Sequence, residues 1–252
     1  MAANATSLVR AGLAAGLSVE AALGGVVLGL AADQRYFEGL AKVRAARLIW
    51  RTLSRAFGLE TPAEIEVRSS RRMLAARDPW PNLLRLTAAG FAGAVGGADA
   101  VVLDGFTRAE GAPDAFARRQ ARNTQLVLME EAHLGRVDDP AAGAWFLDHR
   151  TRELAQAGWT EFQAIEAEGG IVEGLMGDVV QPRIARARET LERSLGDDGD
   201  QMVGVTKFVD PEPRSAHTDV EPTASTPELS VRCTPLTPIR LAARFEDQGV
   251  AG

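Results

Sequence analysis

Two short strand-like runs, at residues 65–69 and 98–103, are separated by one helical stretch and followed by another. Strand, helix, strand, helix at this spacing leaves few topologies. A crossover long enough to hold a helix makes neighbouring strands parallel, and a parallel sheet needs helices packed on it. The run at 98–103 is almost wholly apolar, which predicts a buried strand. Two strands are too few to close a (β/α)8 barrel. A partial sheet leaves an open edge and an uncovered apolar face, so the chain reads as incomplete by itself.

The flanking segments read as helices. Residues 1 to about 57 carry no strand signal; Gly16 followed by Ser18 reads as a stop and an N-cap, and Gly58 closes the next long segment. Phe37, Leu40, Ala41, Arg44 and Leu48 recur at helical spacing within that segment. Asp78-Pro79 supplies a cap and a first-turn proline for the helix whose face carries Leu84, Ala88, Phe91 and Val95, and Gly96-Gly97 ends it. Pro113 opens another helix, and two more are expected at about 145–168 and 181–195. Beyond Asp210 the chain turns rich in Pro, Thr and Ser, with Pro211, Pro213, Pro222, Pro227, Pro235 and Pro238. Residues 1–209 are therefore expected to form the α/β body and 210–252 a linker or wrapping arm.

Charge and cysteine content narrow the function classes. A net charge of -6 argues against nucleic acid as a partner. Arg10 and the apolar stretch ending at Ala32 imitate a leader, but Glu20 interrupts the run and Gly24, Gly25 and Gly29 weaken it as a span. A buried helix pair is the better reading, with no membrane partner. Cys233 is the sole cysteine, which excludes an internal disulfide and fits a reducing cytoplasm.

Bottom-up, chemistry-bearing constellations are sparse. Glu130 and His133 have a di-iron-type spacing but no second copy, so they read as helix-end polar residues. Asp138-Asp139 and Asp148-His149 read as solvated. Arg118, Arg119 and Arg122 sit near Asp114 and Glu130, which suggests a solvated or subunit-facing surface. Gly96-Gly97 is a helix stop and not a phosphate loop. Cys233 has no histidine beside it to make it a nucleophile.

Wording adds what patterning does not. The series Ala41-Lys42-Val43-Arg44-Ala45-Ala46-Arg47-Leu48-Ile49-Trp50, Arg77-Asp78-Pro79-Trp80-Pro81-Asn82, Ala121-Arg122-Asn123-Thr124-Gln125 and Gly204-Val205-Thr206-Lys207-Phe208 resembles the adenosylcobalamin-dependent acyl-CoA mutases, and within them methylmalonyl-CoA mutase. The resemblance covers nearly the whole chain. It implies a partial TIM barrel, comprising roughly the final two strands of the mutase substrate domain with their helices, and a Pro-rich C-terminal arm. In active members the cofactor carries the radical chemistry and the protein encloses and orients. Their histidine, tyrosine and arginine for the acyl group come from earlier segments. Their cobalamin is gripped by a separate domain with an Asp-x-His-x-x-Gly signature, a spacing that His133, His149 and His217 do not fit.

The two remaining strands depart from the active pattern. Where active mutases carry a polar Arg-Thr-His-Ser-Gln-type strand, this chain has Glu66 and Arg68; on the next strand Asp99, Val102 and Leu103 stand for Gln, His and Thr. Asp99 as an acidic channel lining would repel a phosphate-bearing thioester. The resemblance leaves Arg44 and Arg68 as substrate-facing positions, both degenerate; at Arg44 a structural role is the better reading, because neighbouring Ala46 occupies a position that is serine in some binders. No catalytic, cofactor-binding or metal residue is expected. With Arg71-Arg72-Met73-Leu74 and the tail segment 238–246, the pattern resembles the small, non-catalytic subunit of heterodimeric bacterial methylmalonyl-CoA mutase. That implies a cytoplasmic structural partner of the large catalytic subunit, with adenosylcobalamin only in the assembled enzyme. Two alternatives are one half of a split mutase and a truncated, inactive remnant.

Overall fold

The computed structural model describes residues 1–195, 199–220 and 233–246. It is a mixed α/β structure with a three-stranded parallel sheet and helices packed on it. In chain order the elements are α1 (Ala2–Ala14), α2 (Val19–Gly24), β1 (Val27–Ala32), α3 (Tyr36–Ala56), β2 (Glu64–Ser69), α4 (Pro81–Val95), β3 (Ala100–Val102), β4 (Ala112–Pro113), α5 (Ala115–Leu126), α6 (Trp145–Ala167), α7 (Ile171–Met176), α8 (Val180–Ser194), β5 (Thr218–Asp219) and α9 (Ala243–Glu246). The sheet order is β1-β2-β3.

Residues 1–57 are therefore not helical throughout, and the sheet has one strand more than the sequence suggested. The run Val26 to Ala32 is a short apolar stretch, which periodicity alone cannot separate from buried helix. Gly25 ends α2 just before it, and parallel pairing with β2 then holds the run extended. Ser18 does cap α2, its hydroxyl accepting from the Ala21 amide at 3.2 Å. Gly16 and Gly58 hold φ of 89°, the left-handed turn that stops α1 and α3.

Side chains alternate cleanly across the sheet. Leu28, Ala32, Ile65 and Val67 are buried under α3 and α4, whereas Gly29, Ala31, Arg68, Ala100 and Val102 lie on a face that nothing covers among the described residues. The register sets them in two rows, Gly29–Glu66–Ala100 and Ala31–Arg68–Val102. The run at 98–103 is accordingly an edge strand of only three residues, not a buried one. Leu103, just past its end, turns into the core beneath Gly90, where an added Cβ would meet the leucine at 3.1 Å.

Alpha4 begins two residues later than Asp78-Pro79 implied: Trp80 occupies the cap without a side-chain bond and Pro81 is the first-turn proline. Its buried face is Asn82, Arg85, Leu86, Ala89 and Gly93, while Leu84 is 75% exposed. Small residues on that face let α4 lie close to β2 and β3; a Cβ at Gly93 would come within 2.9 Å of Val67. Behind α3 runs α6, and Trp50 fills the core with its Nε1 donating to the Pro62 carbonyl at 3.2 Å. Full burial of such a ring stabilises by about 2–3 kcal/mol.

The described parts of the tail return to the body. Leu241 and Ala242 are buried with Ala75, Leu195 and Met202. Glu246 accepts from the Ala76 amide at 2.6 Å and the Arg77 amide at 3.2 Å. Trp80 donates to the Arg214 carbonyl at 2.9 Å, and β5 pairs antiparallel with β4. Pro222 and Pro227 lie outside the described residues.

Candidate functional site

The uncovered face of the sheet and the two ends of its strands are the places where chemistry could be arranged. On that face Arg68 and Glu66 point the same way, two residues apart on β2, and close an ion pair at 2.6 Å. The hydrogen bond to Glu66 raises Arg68 above the ordinary arginine range. The two central rows otherwise present Gly29, Ala31, Ala100 and Val102. No imidazole, amide or hydroxyl stands in them to hold an acyl carbonyl or carboxylate.

Arg44 lies elsewhere. It sits on α3 facing α6, in a cleft of about 530 Å³ on the helical side of the sheet. Its guanidinium donates to Asp139 at 3.1 Å, Thr151 at 3.4 Å and meets Asp148 at 2.8 Å. Burial opposes the arginine charge, but the bonds to Asp148 and Asp139 outweigh it and raise Arg44 above its ordinary value. The Arg44 bond in turn holds Asp148 below the usual carboxylate range. Arg44, Arg47 and Arg152 face Asp138, Asp139 and Asp148 across the cleft, so the charges balance. Arg44 and Arg68 are thus on opposite sides of the sheet, each matched by carboxylates of its own chain.

The amino ends of the strands are pinned by a pair that the sequence pattern did not reveal. Asp99 accepts from the Ile65 amide at 2.8 Å and from Arg47 at 2.9 Å, while Arg47 also donates to the Ala63 carbonyl at 2.8 Å. Asp99 therefore ties β2 to the start of β3 instead of projecting as a bare channel charge. At the carboxyl ends, buried Asn82 bonds the amide and carbonyl of Ala75 and the carbonyl of Phe106 at 2.8–3.0 Å, locking the loops after β2 and β3 together. Arg85 donates to Asn82 at 2.7 Å and to the Val203 carbonyl at 2.5 Å. Asn82 belongs to the segment 77–82 that resembles the mutases, but only the fold shows what it and Arg85 hold.

The three imidazoles do not converge. His149 stacks on Trp145 with ring centroids 5.5 Å apart and reaches Glu153 at 3.3 Å. His217 contacts Asp114 at 3.3 Å, and His133 is exposed with φ 55°. Among the described residues no group of three or more His, Cys, Asp or Glu could hold a metal ion. Glu130 lies in the π-helical turn Val127–Glu131 that continues α5, His133 follows just past it, both are exposed, and Cys233 is half-buried. Among the described residues no helix is long and apolar enough to cross a membrane.

The sequence has relatives among known proteins. The family model described as methylmalonyl-CoA mutase matches residues 1–236. A probable methylmalonyl-CoA mutase small subunit from Mycobacterium bovis is 42% identical over 216 residues, covering 82% of this chain and 34% of the relative. The methylmalonyl-CoA mutase small subunit of Streptomyces virginiae is 42% identical over 77% of this chain and 32% of its own length. That of Propionibacterium freudenreichii is 33% identical over 82% of this chain and 33% of its own. The chain spans about a third of the length of the curated relatives it matches.

Proposed function

The chain belongs to the methylmalonyl-CoA mutase family, and from that premise we propose that it is a small-subunit-like, non-catalytic structural partner of a large catalytic mutase subunit. In this reading the parallel sheet is the last part of a (β/α)8 substrate barrel, with residues 210–252 as an arm that straps the body. The assembly takes part in interconverting methylmalonyl-CoA and succinyl-CoA in the cytoplasm. Adenosylcobalamin is held by the catalytic subunit and not by this chain.

One observation carries the proposal. The rows Gly29–Glu66–Ala100 and Ala31–Arg68–Val102 offer an acyl-CoA no polar group except an ion pair that neutralises itself at 2.6 Å. In this reading Arg68 is a degenerate substrate-facing position on the sheet face and Arg44 a degenerate one displaced to the helical cleft, each already engaged by carboxylates of this chain. Catalysis depends on donors aimed at charge that develops in the reaction, and these two cations are spent before a substrate arrives.

The test is co-expression of the tagged chain with a large mutase subunit, followed by mass measurement of what co-purifies. A stable heterodimer with activity only from the large subunit is expected. Turnover of methylmalonyl-CoA by the purified chain alone would sink the reading. Among the described residues no strand pairs with the outer edges of β1 and β3, which favours one second reading, half of a split mutase. Recovery of activity on adding a cognate amino-terminal half would select it.

A further inference from the structure

A cavity of about 660 Å³ opens at the carboxyl ends of β2 and β3, on the side of the molecule crossed by the strap at 210–220. In open parallel α/β sheets this end of the strands is where ligands gather. Its lining carries Arg71, Arg108, Arg118 and Arg122 against Asp104 and Asp219. Leaving Arg108 aside, Arg71, Arg118 and Arg122 against Asp104 and Asp219 still leave a local surplus of positive charge in a chain whose formal net charge is -6. A concave patch of sign opposite to the rest of the molecule focuses an attractive field on anions.

The individual groups are arranged unevenly. Arg71 is held by Asp104, whose carboxylate accepts from its Nε at 2.7 Å. Arg118 bonds the Pro113 carbonyl and meets Asp219 of the strap at 3.2 Å. Arg122, one turn further along α5, has no hydrogen-bond or ion-pair partner among the described residues. Spacing of four residues sets Arg118 and Arg122 on the same helical face. Asp219 is carried on the two-residue strand β5, which among the described residues pairs only with β4.

We propose that this cavity is a binding site for a pyrophosphate-type anion, with Arg118 and Arg122 as its principal donors and the strap residue Asp219 as the resident counter-charge that the anion displaces. Arginine suits this class because its planar fork matches two phosphate oxygens at once. The site lies on the strap side of the sheet, apart from the Arg44 cleft, and it does not depend on the partner role proposed above. Displacement of Asp219 weakens the β4–β5 pairing, so occupancy of the cavity also loosens the strap.

The experiment is calorimetric titration of the full chain with inorganic pyrophosphate, with ADP in a parallel arm. Saturable binding of one pyrophosphate per chain is expected. Arg122→Ala should weaken it about fivefold, and Arg118→Ala with Arg122→Ala more than about tenfold. Asp219→Asn should strengthen it about threefold, because an exposed ion pair is a weak competitor. Arg193→Ala, a remote exposed cation on α8, should change nothing. Tighter binding of ADP would assign the anion to a nucleoside diphosphate, and equal binding to the pyrophosphate group alone. Arg122 has no partner to lose, so Arg122→Ala should fold. If it leaves affinity unchanged, or if Arg193→Ala weakens binding equally, the proposal is wrong.

Discussion

Arg44 on α3 and Asp148 on α6 meet at 2.8 Å, and this ion pair joins the helix behind the sheet to the outer helical layer. Asp139 and Thr151 complete the ring around the guanidinium. Replacing Arg44 with Met leaves two carboxylates facing each other and should cost about 1–2 kcal/mol after allowing for solvent at Asp139. In a chain of this size that lowers the melting temperature by about 2–8 °C. A double-mutant cycle with Asp148→Asn measures the coupling directly.

The same pair fixes an acid dependence. Asp148 ionises below its ordinary value of 3.8 in the folded chain because Arg44 stabilises the carboxylate. Its contribution is complete above that value and is lost as pH falls through the lower folded one. Melting curves from neutral pH into this acid range should therefore fall less steeply for Asp148→Asn than for the parent.

Lys42 gives the opposite sign. Burial holds its ammonium below the ordinary lysine value of 10.5; Asp33 pulls the other way, and Arg72 and Arg35 push it down again. The charged form is thus a cost at neutral pH, and stability rises as pH climbs from the lowered folded value toward 10.5. Lys42→Met keeps the stem and removes the charge. It should raise the neutral melting temperature by about 2–4 °C and abolish the alkaline rise. A melting temperature that falls at pH 7 would count against this account.

These relationships mark what could be read along the chain and what could not. Ser18 over Ala21 and the stops at Gly16 and Gly58 are local, and such signals lie within a few residues, whereas Asp114 and not Pro113 opens α5, accepting from the Ala117 amide at 2.8 Å while Pro113 lies in β4. Beta1 was missed because an apolar run of six residues has no period of its own, and pairing with Glu64–Ser69 decides its conformation. Leu84 was assigned to the wrong face of α4 because close approach to Val67 selects the small residues Ala89 and Gly93 for burial, against simple hydrophobicity. The partners of Arg44 stand 95 and 107 positions away, and those of Trp80 lie in the tail at a separation of 134. No pattern along a single chain states such pairings.

Gly93 offers a test of that close approach. A Cβ there would stand 2.9 Å from Val67 Cγ1 and 3.5 Å from Val101 Cγ2, both on the sheet. Gly93→Ala should push α4 off the strands and cost about 1–3 kcal/mol, despite alanine's better helix propensity. Gly24→Ala is the matched control, since nothing lies within 4 Å of its added methyl. It should be neutral or stabilising by up to about 1 kcal/mol. Chemical denaturation of both variants, with unchanged slopes, separates overpacking from propensity.

Val102 tests the open edge. It is 41% exposed, its Cα is paired with Arg68 on one side, and among the described residues no strand pairs with β3 on the other. Unpaired backbone groups beside exposed valine make an edge that recruits further strands. Val102→Lys places a charge on that edge without removing a buried contact, so thermal stability should shift by less than about 0.5 kcal/mol. Sedimentation velocity on the chain alone should show less self-association than the parent. If β3 is also where a large subunit adds its strand, the same substitution should reduce co-purification of that subunit. A variant that stays monomeric yet still captures the large subunit in full would move the subunit contact away from β3 and onto the helical layer.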